Sequence, residues 1–222
     1  MDFRHEWKHE ITAADLLVLR SRLRAVMQPD AHGINGRYTV RSLYFDDGDD
    51  TALREKLDGV SRREKFRIRF YDGDTGVIHL EKKSKLGGLG NKQSERLSPG
   101  EARDIAEGRT EWMVGCGRTL VEELEKKMRT RGLRPRTVVD YTREAFTFAP
   151  GNVRVTLDYG IRTGIHCTDF LNPACITVPA SEAIILEVKW DAYLPDIIRD
   201  IIQLEGRHTA PFSKYAACRI YG

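Results

Sequence analysis

Eight stretches of the chain are strand-like, with polar and apolar residues alternating most clearly in Lys65–Tyr71 and Val153–Tyr159: Arg4–Ile11, Tyr38–Phe45, Lys65–Tyr71, Val77–Lys83, Lys92–Leu97, Thr137–Phe148, Val153–Tyr159 and Ala183–Trp190. A period of two puts successive side chains on opposite faces of a strand, so each stretch predicts a β-strand. Four other stretches carry a helical period. Leu16, Leu19, Leu23 and Val26 share one face of a predicted helix from about Ala13 to Met27, opened by a Thr12/Asp15 capping box. Ser98-Pro99-Gly100-Glu101 is a second capping box, with Pro at the first helical position. A third helix is predicted around Thr119–Thr130, stopping near Gly132; a fourth, from about Pro195 to Glu205, turns Ile197, Ile198, Ile201 and Ile202 inward and ends at Gly206. Gly73-Asp74 and Ala149-Pro150-Gly151-Asn152 read as hairpin turns, which makes much of the sheet antiparallel. With no internal repeat or long linker, the class is α+β.

The strands sort their charge onto one face. Lys65, Arg67 and Arg69 oppose Phe66, Ile68 and Phe70; Glu81 and Lys83 oppose Leu80 and Lys82. Glu187 and Lys189 oppose Leu186 and Val188; Arg154, Thr156 and Asp158 oppose Val153, Val155 and Leu157; Glu6 and Lys8 share a face. For any one strand the simplest reading is a solvated face, as on half of most antiparallel sheets. Taken together, the charged faces are rich in Arg and Lys and sparse in acids, and the opposite faces are apolar enough to pack under helices. A sheet curled into a barrel of about eight strands, polar face inward, would satisfy both as a cationic tunnel. Several buried, uncompensated cations would each cost several kcal/mol, against a folding stability of only about 5–15 kcal/mol. A bound chain of phosphates relieves that cost, because Arg forks and Lys ammonium groups match phosphate oxygens.

Composition narrows the class without changing it. The chain has 222 residues, 41% hydrophobic and 31% charged, which fits one globular domain over 1–222. Charges scattered through the first 30 residues leave no secretory signal, and no apolar run approaches the ~18 residues of a membrane span, so a cytoplasmic protein is expected. A net charge of +3 is too small to announce a nucleic-acid binder, and none is expected as a partner. Cys116, Cys167, Cys175 and Cys218 have neither CxxC spacing nor zinc-finger histidines, and read as reduced, mostly buried thiols.

The order Arg4-x-Glu6-x-Lys8, Ser42-Leu43-Tyr44-Phe45-Asp46, Lys65-x-Arg67-x-Arg69, Leu80-Glu81-x-Lys83, Tyr141-x-Arg143, Arg154-Val155-Thr156-Leu157-Asp158, Leu186-Glu187-Val188-Lys189 and Ser213-Lys214-Tyr215 resembles the VTC polyphosphate-polymerase domain. That family belongs to the triphosphate tunnel metalloenzymes, with the CYTH phosphohydrolases. The likeness spans nearly the whole chain and lies in the order of many short motifs. It implies that Lys8, Arg67, Arg69, Lys83, Lys92, Arg143, Arg154, Lys189 and Lys214 line the tunnel and hold phosphates. It also implies that Glu187 holds Mn²⁺ or Mg²⁺, and that Ser213 and Lys214 contact the phosphoryl group at the reacting end. Lys85 and Arg162 could replace Lys92 and Lys189 in a shifted register, and His9 stands where the family more often has an aromatic residue. The implied activity is metal-dependent transfer of the γ-phosphoryl of ATP onto polyphosphate, with ATP and polyphosphate or tripolyphosphate as partners.

Two other functions fit the same residues. A triphosphatase would differ only in the nucleophile, with Glu81 or Glu6 orienting water. A non-catalytic polyanion-binding module would gain nothing from a carboxylate such as Glu187 among its cations. Gly87-Gly88-Leu89-Gly90 beside Lys92 lacks the GxxxxGK[ST] pattern and reads as a hairpin loop. Asp46-Asp47-Gly48-Asp49-Asp50 lacks EF-hand spacing and reads as a solvated turn in which Asp46 caps the next segment. No two of the histidines have metal-ligand spacing, and Glu122–Lys127 reads as a solvated helix face.

Overall fold

The computed structural model describes residues 4–87, 89–204 and 211–219. In these residues the order is β1 (His5–Ile11), α1 (Ala13–Val26), β2 (Gln28–Pro29), β3 (Arg37–Asp46), α2 (Thr51–Leu57), β4 (Arg63–Tyr71), β5 (Asp74–Leu86) and β6 (Leu89–Leu97). It continues with α3 (Pro99–Ala106), α4 (Thr119–Arg131), β7 (Arg134–Phe148), β8 (Val153–Thr163), β9 (Val178–Ser181), β10 (Ile184–Trp190), α5 (Asp196–Ile202) and α6 (Lys214–Arg219). All eight strands expected from the alternation are present, and the α+β class with helices flanking an antiparallel sheet is the one found. The chain forms two compact units, each assembled from separate stretches: Met1–Thr39, Tyr141–Ile161 and Ser181–Phe212 in the first, Val40–Asp140, Arg162–Ala180 and Ser213–Gly222 in the second.

In the first unit β1 and β8 flank β10 in antiparallel pairing, and β7 follows β8. The apolar residues of these strands, Val155, Leu157, Leu186 and Val188, pack with Leu19 and Leu23 of α1 and Ile198 of α5. Burying this face holds α1 in place, and its start is fixed by the expected box: Thr12 Oγ1 accepts from Asp15 N at 3.2 Å, and Asp15 accepts from Thr12 N at 2.9 Å. The fourth predicted helix is shorter than expected, ending at Ile202; Glu205 and Gly206 lie outside the described residues, as do Gly88 and His208. Ile198 and Ile202 are buried, but Ile197 is 50% exposed, because a two-turn helix buries one narrow stripe rather than four isoleucines.

In the second unit β3, β4, β5 and β6 pair in that order, all antiparallel. Phe66, Ile68, Phe70 and Leu80 pack under Ile105 of α3 and Leu124 and Met128 of α4. The β4–β5 turn is Asp72-Gly73, one residue earlier than the sequence suggested. Both have positive φ (48° and 73°), as a two-residue type I′ hairpin requires. Carried straight on from the Tyr71–Asp74 pair, this hairpin would set Arg67 against Ile78. An irregularity between Arg69 and Tyr71 shifts the register, so Arg67 meets Glu81 and Ile68 meets Leu80.

Three expectations need correction here. The α4 run Glu122–Lys127 is more than a solvated face: Glu125 is buried and accepts from Arg129 at 3.0 Å, while Glu123 pairs with Lys82 and Lys127 with Glu64. The four cysteines are free thiols, but only Cys218 is fully buried; Cys116, Cys167 and Cys175 lie in loops and are half-buried. Helices α2 and α6 were not predicted; they are too short to show an apolar stripe. As expected, Asp46 caps the segment after its turn, accepting from Ala52 N at 2.8 Å and Leu53 N at 3.1 Å at the start of α2. Among the described residues no helix is long and apolar enough to cross a membrane.

The turn between β7 and β8 gives a direct test of the first unit. Gly151 has φ of 71°, and a Cβ there would press into the Tyr193 carbonyl. Gly151→Ala therefore combines left-handed strain with a backbone clash and should cost more than about 1 kcal/mol. Thermal unfolding should show a lowered melting temperature; an unchanged one would contradict this packing.

Candidate functional site

The polar face of the second unit is built from register. Tyr44 lies across from Arg67, Arg67 from Glu81 and Glu81 from Ser94; Ser42 lies across from Arg69, and Lys65, Lys83 and Lys92 stand abreast on β4, β5 and β6. Lys65, Arg67, Arg69, Lys83 and Lys92 are among the cations of this face, with Arg63, Lys85 and Arg96 towards its ends, and Glu81 is the one carboxylate that β4, β5 and β6 place there among the described residues. Glu81 is 1% exposed. Arg67 donates to its Oε2 through Nε (2.7 Å) and Nη2 (2.5 Å), and Lys92 Nζ lies 2.6 Å from Oε1. Arg67 Nη1 also donates to Tyr44 OH at 2.9 Å, Arg69 Nε donates to Ser42 Oγ at 2.9 Å, and Arg69 Nη1 lies 3.9 Å from Glu81 Oε2. Burial alone would raise the Glu81 carboxyl, but Arg67, Arg69 and Lys92 outweigh it and hold it well below the usual carboxylate range.

The same charges act on Tyr44. Its ring stacks on Tyr215 with centroids 5.1 Å apart, Lys65 Nζ lies 5.6 Å from the ring centre and the Arg67 guanidinium 5.7 Å. Burial would raise this phenol, but Arg67, Lys65 and Arg69 prevail and bring its pKa down to about 7. Tyr215 responds the other way: burial and then the Asp46 carboxylate, which accepts its hydroxyl at 2.7 Å, push its pKa up. That hydrogen bond and the Arg219–Asp50 pair at 2.7 Å dock α6, which carries Lys214 at its first position. Ser213 caps α6, its Oγ accepting from Ala216 N at 3.3 Å.

In the first unit a second polar face is balanced in sign. Glu6 lies across from Lys189, and Lys189 from Arg154; Lys8 lies across from Glu187, and Glu187 from Thr156. Lys8 Nζ is 2.9 Å from Glu6 and 3.3 Å from Glu187; Lys189 Nζ is 2.6 Å from Glu187 and 3.8 Å from Glu6. Arg143 holds Asp158 with two bonds of 2.7 and 2.8 Å, and Arg154 reaches Asp30 at 2.5 Å and Tyr38 OH at 2.9 Å. Burial works against the Lys8 ammonium, yet Glu187 and Glu6 hold its pKa above the ordinary lysine value. The expected excess of cations over acids is therefore a property of the second unit. In the first, every implied phosphate ligand has a carboxylate beside it.

Of the residues implied by resemblance, Arg67, Arg69, Lys83 and Lys92 share the face in the second unit, where Ser213 and Lys214 begin α6. Lys8, Arg143, Arg154, Lys189 and Glu187 belong to the face in the first. Of the register alternatives, Lys85 lies across from Arg63 and Gly90, and Arg162 is taken up by Thr177. Sequence reasoning passed over Tyr44, Ser42 and Asp158 as partners of these arginines. Each lies in a quoted motif, but nothing in a motif gives its pairing.

A polar sheet face with buried arginines over an apolar face roofed by helices is the organisation of the tunnel-enzyme class that the motifs implied. The VTC domain model matches residues 3–220, and the chain belongs to the VTC domain family, which makes it a polyphosphate-related or tunnel enzyme. Among solved structures, the PH1012 protein of Pyrococcus horikoshii OT3 is 12% identical, with 99% of each chain covered and a TM-score of 0.52; the likeness speaks for the fold alone. A proposed adenylate cyclase of Bacillus halodurans is 15% identical over 85% of this chain and 80% of that one, with a TM-score of 0.48. No curated protein matches the sequence.

The cationic face predicts an unusual titration. Tyr44 ionises on folding: from about pH 7 to about pH 10 the native state is ionised there while the unfolded state holds the proton, so stability contributed by Tyr44 rises with pH across that window and is lost as pH falls through about 7. Ultraviolet titration should show one of the eight tyrosines forming phenolate near neutrality, and Tyr44→Phe should abolish that step. If no tyrosine titrates below the ordinary range, the charge distribution described here is wrong.

Proposed function

We propose that this chain is a metal-dependent polyphosphate polymerase that transfers the γ-phosphoryl group of ATP onto the end of an inorganic polyphosphate chain. The observation that carries this reading is the row Lys65, Lys83 and Lys92, three lysines directly abreast on adjacent strands beside two buried arginines. A chain of phosphates presents oxygens that accept from several Lys and Arg side chains at once. Membership of the VTC family supports polyphosphate as the polyanion.

In this mechanism the arginines and lysines position two anionic reactants and neutralise their charge, which is most of what phosphoryl transfer asks of a protein. A terminal phosphate oxygen of the growing chain, already anionic, forms the new bond to the γ-phosphorus. The bond from that phosphorus to the β,γ-bridging oxygen breaks, and ADP leaves with the electron pair. No base is required. A hydrolase would instead need a group such as Glu81 or Glu6 to orient water. Lys214 and Ser213 would contact the reacting phosphoryl from the start of α6.

Glu187 would hold Mn²⁺ or Mg²⁺. Its carboxylate is an oxygen donor with an 8% exposed side chain beside the unpartnered hydroxyl of Thr156, and hard divalent cations favour one or two carboxylates completed by water and phosphate oxygens. When bound, the ion would polarise phosphoryl oxygens.

Purified protein incubated with ATP and Mn²⁺ should convert the γ-phosphate into an acid-labile chain; release as orthophosphate alone would make the protein a phosphohydrolase. Glu187→Gln should keep tripolyphosphate binding but lower turnover about a hundredfold or more, the scale of a lost metal contact. Lys214→Ala should weaken ATP binding and turnover together, since its charge acts on ground and transition states alike. Wild-type turnover in Glu187→Gln would remove that residue from the metal site.

A further inference from the structure

Among the partners of the first unit's polar face, one buried group has none. Thr156 is 2% exposed, it lies in register with Glu187, and its Oγ1 is a buried polar atom without a hydrogen-bond partner among the described residues. A buried hydroxyl left unpaired is costly, and a valine would fill the same space on a β-strand without that cost. The neighbouring charged groups each have partners: Lys8 and Lys189 on Glu187, Arg143 on Asp158, Arg154 on Asp30. Alternation puts Thr156 between Arg154 and Asp158 on the polar side of β8, in the row Lys8, Glu187, Thr156.

We infer that Thr156 is a binding residue for the phosphate chain, its hydroxyl donating a hydrogen bond to a phosphate oxygen held by Lys8 and Arg154. The inference rests on the polyanion reading above and extends it to a neutral ligand. The cations supply attraction but can slide along a chain of equivalent phosphates. A short-armed hydroxyl fixed on the strand fixes one phosphate in register relative to Glu187. Thr156 thus contributes position as well as affinity, and the hydroxyl that is unpaired in the free protein becomes paired when the chain is bound.

The test is titration calorimetry of the full chain with tripolyphosphate, comparing wild type, Thr156→Val and Thr156→Ser, with the melting temperature of each free protein measured alongside. Thr156→Val should melt at or above the wild-type temperature without ligand, because it deletes an unpaired hydroxyl, yet bind tripolyphosphate about tenfold more weakly, as loss of a hydrogen bond to a charged group implies. Thr156→Ser should restore most of the affinity. Wild-type affinity in Thr156→Val, or no rescue by Thr156→Ser, overturns the assignment while leaving the polyanion reading intact. A Thr156→Val protein that melts well below wild type or does not fold overturns the premise that the hydroxyl lacks a partner. Absence of tripolyphosphate binding to the wild type overturns the polyanion reading and this inference with it.

Discussion

Glu81 and its ring of cations set the terms for the second unit. With one carboxylate buried among Arg67, Arg69 and Lys92, the face is held together by charge-assisted hydrogen bonds whose loss would leave guanidinium groups buried without a counter-charge. Breaking such a buried pair typically costs about 3–5 kcal/mol, whereas the pair itself adds little net stability, because both groups were desolvated to make it. The carboxylate therefore makes the cationic face possible without cancelling it. Ser42 accepts from Arg69 and Tyr44 from Arg67, and the lowered Tyr44 pKa is the electrostatic signature of the excess of cations.

The first unit handles cations differently. Glu6, Lys8, Glu187 and Lys189 alternate in sign across two paired strands, so each ammonium has two carboxylates within 4 Å and each carboxylate two ammoniums. Such a checkerboard is stable without a ligand. A polyanion approaching it must compete with the carboxylates for Lys8 and Lys189, and a divalent cation on Glu187 would release those lysines to phosphate. Metal and polyanion binding at this face should therefore be mutually favourable in physical terms, since each takes over a partner that the other displaces.

The fold was legible where one side of an element is buried and the other is not. Phe66-x-Ile68-x-Phe70 and Val153-x-Val155-x-Leu157 announced their strands because the alternate residues pack beneath helices. Thr12/Asp15 and Ser98/Glu101 announced helix starts through caps that the structure reproduces. Helices α2 and α6 were not legible because polar contacts place them: Asp46 caps one, and Tyr215 and Arg219 tie the other down. For the site, the residue types on each face were readable, but their partners were not. The row Lys65, Lys83 and Lys92 depends on a register shift between Arg69 and Tyr71 that no local signal encodes, and the sign balance of the first unit depends on long-range pairs such as Arg154 with Asp30.

The central claim is that these faces are built for a chain of phosphates, and a ligand that binds the native state alone raises its stability in proportion to RT ln(1 + [L]/Kd). The most direct measurement is the melting temperature of the wild-type protein across a tripolyphosphate series at constant ionic strength, with chloride as the matched control. The account predicts a melting temperature that climbs with the logarithm of tripolyphosphate concentration and stays level in chloride. A melting temperature indifferent to tripolyphosphate, or one that chloride raises equally, would contradict it.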